Sequence, residues 1–221
     1  MKAWPSLLPV RGKRGGFFMA QFSKALFSHP FSRAYWKEAS AETRRVRILA
    51  VAALCMGLKM AIASFRIPVA DNLYIYFTYL ITAVQCAVAG PVVGVLCGGI
   101  GDLIEFAIHP TGPFFPGYTL SSMAGALIFA LFLYRTKITV WRLALSRLLI
   151  NLFVNVGLGS LWSYMLYSKG YLYYFAKSIV KNTIMLPIEV ILLVLFFRML
   201  IPYLEGKNWI APQGEKKLPW W

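Results

Sequence analysis

The sequence predicts an all-α integral membrane protein, with six transmembrane helices in one bundle and both termini cytoplasmic. Three observations carry that prediction. Apolar side chains make up 59% of the 221 residues and charged ones 14%, where a soluble domain holds about 45–50% and about 25%. Six apolar stretches approach the roughly 20 residues needed to cross the hydrocarbon. Finally, 23 basic against 8 acidic residues leave a charge of +15, gathered in the ends and one loop as bilayer orientation requires. That placement argues against nucleic acid as a partner. The composition excludes a disulfide scaffold, a disordered chain and an ordinary cytosolic enzyme.

Residues 1–45 read as a basic cytoplasmic extension. Lys2, Arg11, Lys13, Arg14, Lys24, Arg33, Lys37, Arg44, Arg45 and Arg47 crowd this end of the chain, and no convincing cleavage site marks a secretory signal. The membrane domain follows over 46–204, with spans expected near 47–65, 72–89, 91–109, 117–134, 142–167 and 175–202. Ala89-Gly90-Pro91 breaks the second stretch, because proline cannot continue a helix without losing a hydrogen bond. Residues 205–221 read as a cytoplasmic tail. Arg135, Lys137, Arg142, Lys207, Lys216 and Lys217 put one set of loops inside, leaving the loops near 66–71, 110–116 and 168–174 outside.

Helices in lipid associate through close backbone approach at small residues. Span 1 carries the stripe Ala53-x3-Gly57-x3-Ala61, span 3 carries Gly90-x3-Gly94-x3-Gly98, and span 4 carries Gly117-x3-Ser121-x3-Gly125. For span 4 the stripe reads as internal packing; for span 1 a partner protein is a candidate. Lys59 lies about 160–200° around its helix from Gly57 and Ala61, at 100° per residue. It either enters a watery cavity or snorkels outward.

Charges at membrane depth cost some 2.5–3.5 kcal/mol each and point to function. Asp102, Glu105 and His109 share a face of span 3, and Arg147, Asn151, Asn155 and Trp162 form a polar stripe on span 5. Span 6 brings Lys181, Asn182 and Glu189 around Pro187. Two readings stand: structural pairs such as Asp102 or Glu105 with Arg147, or a small-molecule cavity around Asn155, Trp162 and Lys181. His109 reads as a cap or interfacial residue. The loop HPTGPFFPGYT (109–119) is too rich in proline and glycine for helix and too aromatic for free solvent. With RIPVAD (66–71) it forms a candidate lid over an outward pocket, or else part of an interfacial aromatic belt with Tyr74, Tyr76, Tyr171, Tyr173 and Tyr174. Cys55, Cys86 and Cys97 are isolated core hydrophobes, and two histidines supply no metal cage. No phosphate-binding G-x4-G-K-[ST], H-E-x-x-H or G-x-S-x-G is present, so neither ATP hydrolysis by this chain nor a familiar hydrolase is indicated.

Four segments resemble a known family. These are GPVVGVLCGGIGDLIEF (90–106), FFPGYTLSSMAGALIFALFLYR (114–135), RLLINLFVNVGLGSLWSYMLYSKGY (147–171) and KNTIMLPIEVILL (181–193). They are similar to the folate group of substrate-binding S components of energy-coupling factor (ECF) vitamin transporters, over roughly residues 31–204. The resemblance implies a six-helix, multi-pass protein of the bacterial plasma membrane that captures folate from outside, is not an enzyme and carries no cofactor. Its partners would be a transmembrane coupling (T) subunit and two cytosolic ATPases, which supply the hydrolysis. Ala53, Gly57 and Ala61 match the small residues that meet the coupling subunit.

Folate then suggests roles for the residues. Its rings ask for stacking partners among Tyr76, Phe114, Phe115, Tyr118 and Trp162. The pterin edge suits Glu105, Asn155 or Glu189, with Asn182 on the face of Glu189, and the glutamate tail suits Arg66, Lys177 or Lys181. Gly159 stands where the family pattern has Asn, and Lys177 beside Ser178 where it has Arg; lysine cannot form the planar two-pronged clamp of arginine. Another vitamin such as thiamin, riboflavin or a queuosine precursor, a non-transport membrane interaction protein, and a membrane enzyme are the alternative readings.

Overall fold

A computed structural model describes residues 32–70, 73–108, 113–167, 170–213 and 218–220. The extension before Ser32 and the positions of His109, Asp71, Lys169, Lys216 and Lys217 lie outside the described residues. Seven helices are labelled in chain order: α1 (Arg33–Ala41), α2 (Val46–Ala63), α3 (Thr78–Ile108), α4 (Pro116–Leu133), α5 (Val140–Leu149), α6 (Gly159–Leu166) and α7 (Tyr171–Gly206). A π-helical stretch, Ile150–Leu158, joins α5 to α6, so Val140–Leu166 runs as one span. Among the described residues five continuous helical stretches are long and apolar enough to cross a membrane.

The six expected spans map onto those five stretches because α3 contains two of them. Gly90 interrupts α3 with φ 80° and ψ −179°, a backbone region that only glycine enters easily. A Cβ added at Gly94 would lie 3.0 Å from Cys86 Sγ and 3.8 Å from Cys86 Cα. Residues eight apart on one continuous helix are separated by about 12 Å. The chain therefore reverses at Gly90-Pro91, and residues 78–89 and 91–108 pack side by side. Their contact face is made of alanines, glycines and short branched residues, which accounts for the near-complete burial of Ala83, Cys86, Ala87, Val88, Ala89 and Val93.

The helix expected from residue 72 starts later. Arg66–Ala70 and Leu73–Tyr76 instead form an antiparallel hairpin, β1 and β2, with Arg66 opposite Tyr76. Pro68 denies a helix its hydrogen bond, and the alternation Leu73-Tyr74-Ile75-Tyr76 suits a strand. The architecture is otherwise helical. Its core joins α3, α4 and α7 through Val88, Phe129, Leu133, Leu193 and Phe197.

Both described ends pack on the connection between α4 and α5. From α1 and the turn that follows it, Tyr35 donates to the Ala130 carbonyl at 3.1 Å, and Glu38 and Glu42 accept from Arg135 Nη2 at 3.1 and 3.2 Å. Arg135 holds φ 52°, a left-handed conformation costly for a side chain, and these ion pairs offset it. Burial and the Glu42 carboxylate push the Tyr134 phenol well above its usual pKa. On the other flank the tail is a docked strap rather than a free end. Gln213 Oε1 accepts from the Ile138 amide at 2.7 Å, and the Pro219 and Trp220 carbonyls accept from the Val140 and Trp141 amides at 3.0 and 3.3 Å.

Replacing Gly90 by Ala would force a Cβ to within 3.0 Å of the Tyr134 ring in a conformation that costs about 1–3 kcal/mol. Gly90→Ala is therefore expected to lower the thermal midpoint in detergent. An unchanged midpoint would show that the reversal does not depend on glycine.

Candidate functional site

A cavity of about 500 Å³ opens among the helices, within the range of small-molecule sites. Its floor is set by an ion pair. Arg147 of α5 donates from Nε and Nη2 to the two carboxylate oxygens of Glu189 on α7. Asn151 Nδ2 donates to the same carboxylate at 2.9 Å, and the guanidinium lies 4.3 Å from the centre of the Tyr79 ring. Tyr79 also donates its hydroxyl to the Glu189 carbonyl at 3.0 Å, so α3, α5 and α7 converge on one point. The expected pairing of Arg147 with Asp102 or Glu105 is corrected: Glu189 holds Arg147, while the two span-3 carboxylates find other partners.

Above the floor the amides form a closed chain. Asn155 Nδ2 donates to Asn151 Oδ1 at 2.8 Å and to Asn182 Oδ1 at 3.3 Å. Asn182 Nδ2 donates to the Ser178 carbonyl at 2.8 Å, and Ser178 Oγ donates to the Asn155 carbonyl at 3.1 Å. That last bond uses a backbone oxygen in the π-helical stretch, a geometry that recurs at functional sites. No donor reaches Asn155 Oδ1 among the described residues, and Lys181, also on the wall, has no ionic partner among them.

The opposite wall belongs to α2, α3 and α4. Asp102 accepts from Thr119 Oγ1 at 2.7 Å and Ser122 Oγ at 2.9 Å. Lys59 turns inward, ending 3.6 Å from Glu105 Oε2; of its two expected placements, the cavity is the one observed. Ser121 and Gly125 line the cavity as well, so only part of the span-4 stripe is packing. Gly98 of α3 both lines the cavity and packs, since a Cβ there would meet the Ser122 carbonyl at 3.0 Å.

Of the twelve residues expected to touch a substrate, Tyr76, Tyr118, Asn155, Lys181, Asn182 and Glu189 line the cavity. Others stand back from it. Trp162 donates to Ser121 Oγ at 2.9 Å and packs on Phe115 with ring centres 5.6 Å apart, so the pair backs the wall instead of forming it. Phe114 packs on Phe106 at 5.2 Å, and Lys177 is exposed. Glu105 meets the cavity only through Lys59. Arg66 begins β1, its side chain outside the described residues. Tyr79, Thr82, Asp102, Ser121, Ser122 and Arg147 belong to the cavity and were absent from the expected set. Arg147 shares the 147/151/155 stripe with Asn155, which was the available signal for it; the serines and Tyr79 and Thr82 lie on other helices and only packing brings them to the cavity.

Away from the cavity, Ala53, Gly57 and Ala61 are exposed, and a Cβ added at Gly57 meets no atom within 4 Å. The stripe on α2 is thus an open surface, whereas Gly94 and Gly98 are closed against neighbours.

Glu189→Leu alone is expected to leave Arg147 buried without a counter-charge and to cost about 3–5 kcal/mol, whereas Arg147→Met with Glu189→Leu should recover most of it. Thermal unfolding in detergent measures both, and equal losses would refute the pairing.

Comparison with known proteins agrees with this architecture. Residues 42–201 match the family described as ECF-type riboflavin transporter, S component. A folate transporter FolT of Clostridium novyi (strain NT) is 29% identical over 168 residues, 76% of this chain and 97% of the relative. A folate transporter FolT of Leuconostoc mesenteroides is 31% identical over 162 residues, 70% of this chain and 85% of the relative. The fold is that of a crystal structure of FolT bound with folic acid, at TM-score 0.57 and 24% identity, covering 65% of this chain and 86% of that one. With 160 residues matched by the family and a relative above 30% identity covered over most of its length, this multi-pass membrane chain belongs to the S components of ECF-type transporters.

Proposed function

We propose that this chain captures folate, or a reduced folate, from the outer side of the membrane, as the S component of an ECF-type ABC transporter. Two groups in one cavity, unpaired among the described residues, carry the reading: the Asn155 Oδ1 acceptor and the Lys181 ammonium. A pterin edge offers N–H donors to the first, and a glutamate tail offers carboxylates to the second. Tyr76 and Tyr118 supply aromatic side chains to the same cavity, and each charge-assisted hydrogen bond contributes about 1.5–3 kcal/mol. The named activity of both folate-transporting relatives supports the same ligand.

Orientation follows from charge. Arg135, Arg142 and the basic residues of 33–47 cluster at the end where α1 and the tail meet the α4–α5 connection, so that end faces the cytoplasm. The hairpin end then faces outward, and the cavity is filled from there. Uptake would be driven by ATP hydrolysis in two cytosolic partners, coupled through a transmembrane subunit docked on Ala53, Gly57 and Ala61. These small residues, open on the surface of α2, permit the close helix approach such docking needs. The relatives being transporters, the reading is transport and not catalysis.

Riboflavin is the second reading, because the matched family is described by it. It carries no carboxylate tail and would leave Lys181 without a counter-charge.

Calorimetry of the purified protein in detergent separates the two. One folate or 5-formyltetrahydrofolate per chain should bind without ATP, and riboflavin or thiamin should give no heat. Saturable riboflavin binding with none for either folate would overturn the reading. Gly57→Leu should abolish uptake in cells while leaving folate affinity unchanged; loss of binding in purified Gly57→Leu protein would move the stripe into the core.

A further inference from the structure

We propose that Lys59 binds a carboxylate of the ligand's tail, and that Glu105 is an internal stand-in which the tail displaces. The inference rests on the folate reading above and names a residue for it that lies on α2, outside the helices that build the cavity floor. The cavity's charges are unequally held. Arg147 and Glu189 saturate each other with two hydrogen bonds, and both oxygens of Asp102 accept from hydroxyls. Among the described residues Lys181 has no ionic partner and Lys59 has one ionic contact, the 3.6 Å approach to Glu105. The Lys59 side chain is 15% exposed while that of Glu105 is 39% exposed, so the lysine is the more buried partner of the pair. A strongly hydrated ammonium that has left water needs an anion, and Glu105 supplies one at longer range than a direct hydrogen bond.

Position identifies the tail as the anion. Lys59 lies about one helical turn from the end of α2, and Glu105 about one turn from the end of α3, both at the hairpin end. Glu189 lies about 27 Å along α7 from its start, at 1.5 Å per residue. A long ligand with its ring system towards the amides leaves its carboxylates at the level of Lys59. Filling the site then exchanges one carboxylate for another around the same cation. That exchange occurs on the helix whose other face carries the open stripe of Ala53, Gly57 and Ala61.

Lys59→Gln and Glu105→Gln both break the ion pair, yet the proposal moves them in opposite directions. Folate should bind Lys59→Gln about tenfold or more weakly, the loss of one charge-assisted bond. Glu105→Gln should bind folate as tightly as the wild type or tighter, because the competitor is gone. Pteroic acid, which lacks the glutamate, should bind wild type and Lys59→Gln within about threefold of each other, far less than one such bond. Equal weakening of folate by both variants would make the pair merely structural and overturn the proposal, as would unchanged affinity in Lys59→Gln. Should Lys59→Gln fail to fold, Lys59→Arg and Glu105→Gln decide: weaker folate binding in Glu105→Gln refutes the displacement. Wild-type protein that binds riboflavin and no folate would instead overturn the underlying reading, and this inference with it.

Discussion

The Arg147–Glu189 ion pair is the constraint around which the site is arranged. A charge at membrane depth costs a few kcal/mol when alone, so each helix bearing one is stabilised by the other. The geometry meets the demand with two hydrogen bonds to the carboxylate, a third from Asn151 and an aromatic face under the guanidinium. Satisfying that pair sets the register of α5 against α7, and Tyr79 extends the constraint to α3. The cavity is the volume left above this fixed point. Its asparagines are then aligned by neighbours already in place, so the ligand need not organise them, and preorganisation of this kind favours affinity.

Much of the architecture was legible because the bilayer simplifies the code. Length of apolar run, placement of cations and the Gly90-Pro91 break locate the helices without reference to one another. What the sequence does not carry is partner choice. Arg147 had three carboxylates within plausible reach, and only packing selects Glu189 over Asp102, which is already occupied by Thr119 and Ser122. Trp162 looked like a stacking residue from its place on the polar stripe. The π-helical stretch that contains Asn155 and ends at Leu158 changes the periodicity ahead of Trp162, and the indole ends behind Ser121. The start of α3 was missed because Leu73–Tyr76 is apolar enough for either period, and pairing with Arg66–Ala70 decides it.

Small residues carry different meanings on adjacent helices. Gly94 and Gly98 are small because another helix occupies the space a side chain would need. Gly57 is small with nothing beside it. The spacing is the same in both cases, so the stripe pattern alone does not separate internal packing from a surface awaiting a partner. The α1 helix and the terminal strap lie outside the 42–201 family match, and together they brace the α4–α5 connection at the end opposite the hairpin. They hold Arg135 in its left-handed conformation and occupy the first amides of α5.

The proposed seat of the ligand is over the Arg147–Glu189 pair, between α7 and the wall formed by α3 and α4. A structure of the folate-loaded protein decides it. One ligand is expected in this cavity, its pterin against Asn155 and its carboxylates near Lys181 or Lys59. Folate bound elsewhere, with the cavity between Asp102 and Asn182 left unfilled, would contradict it.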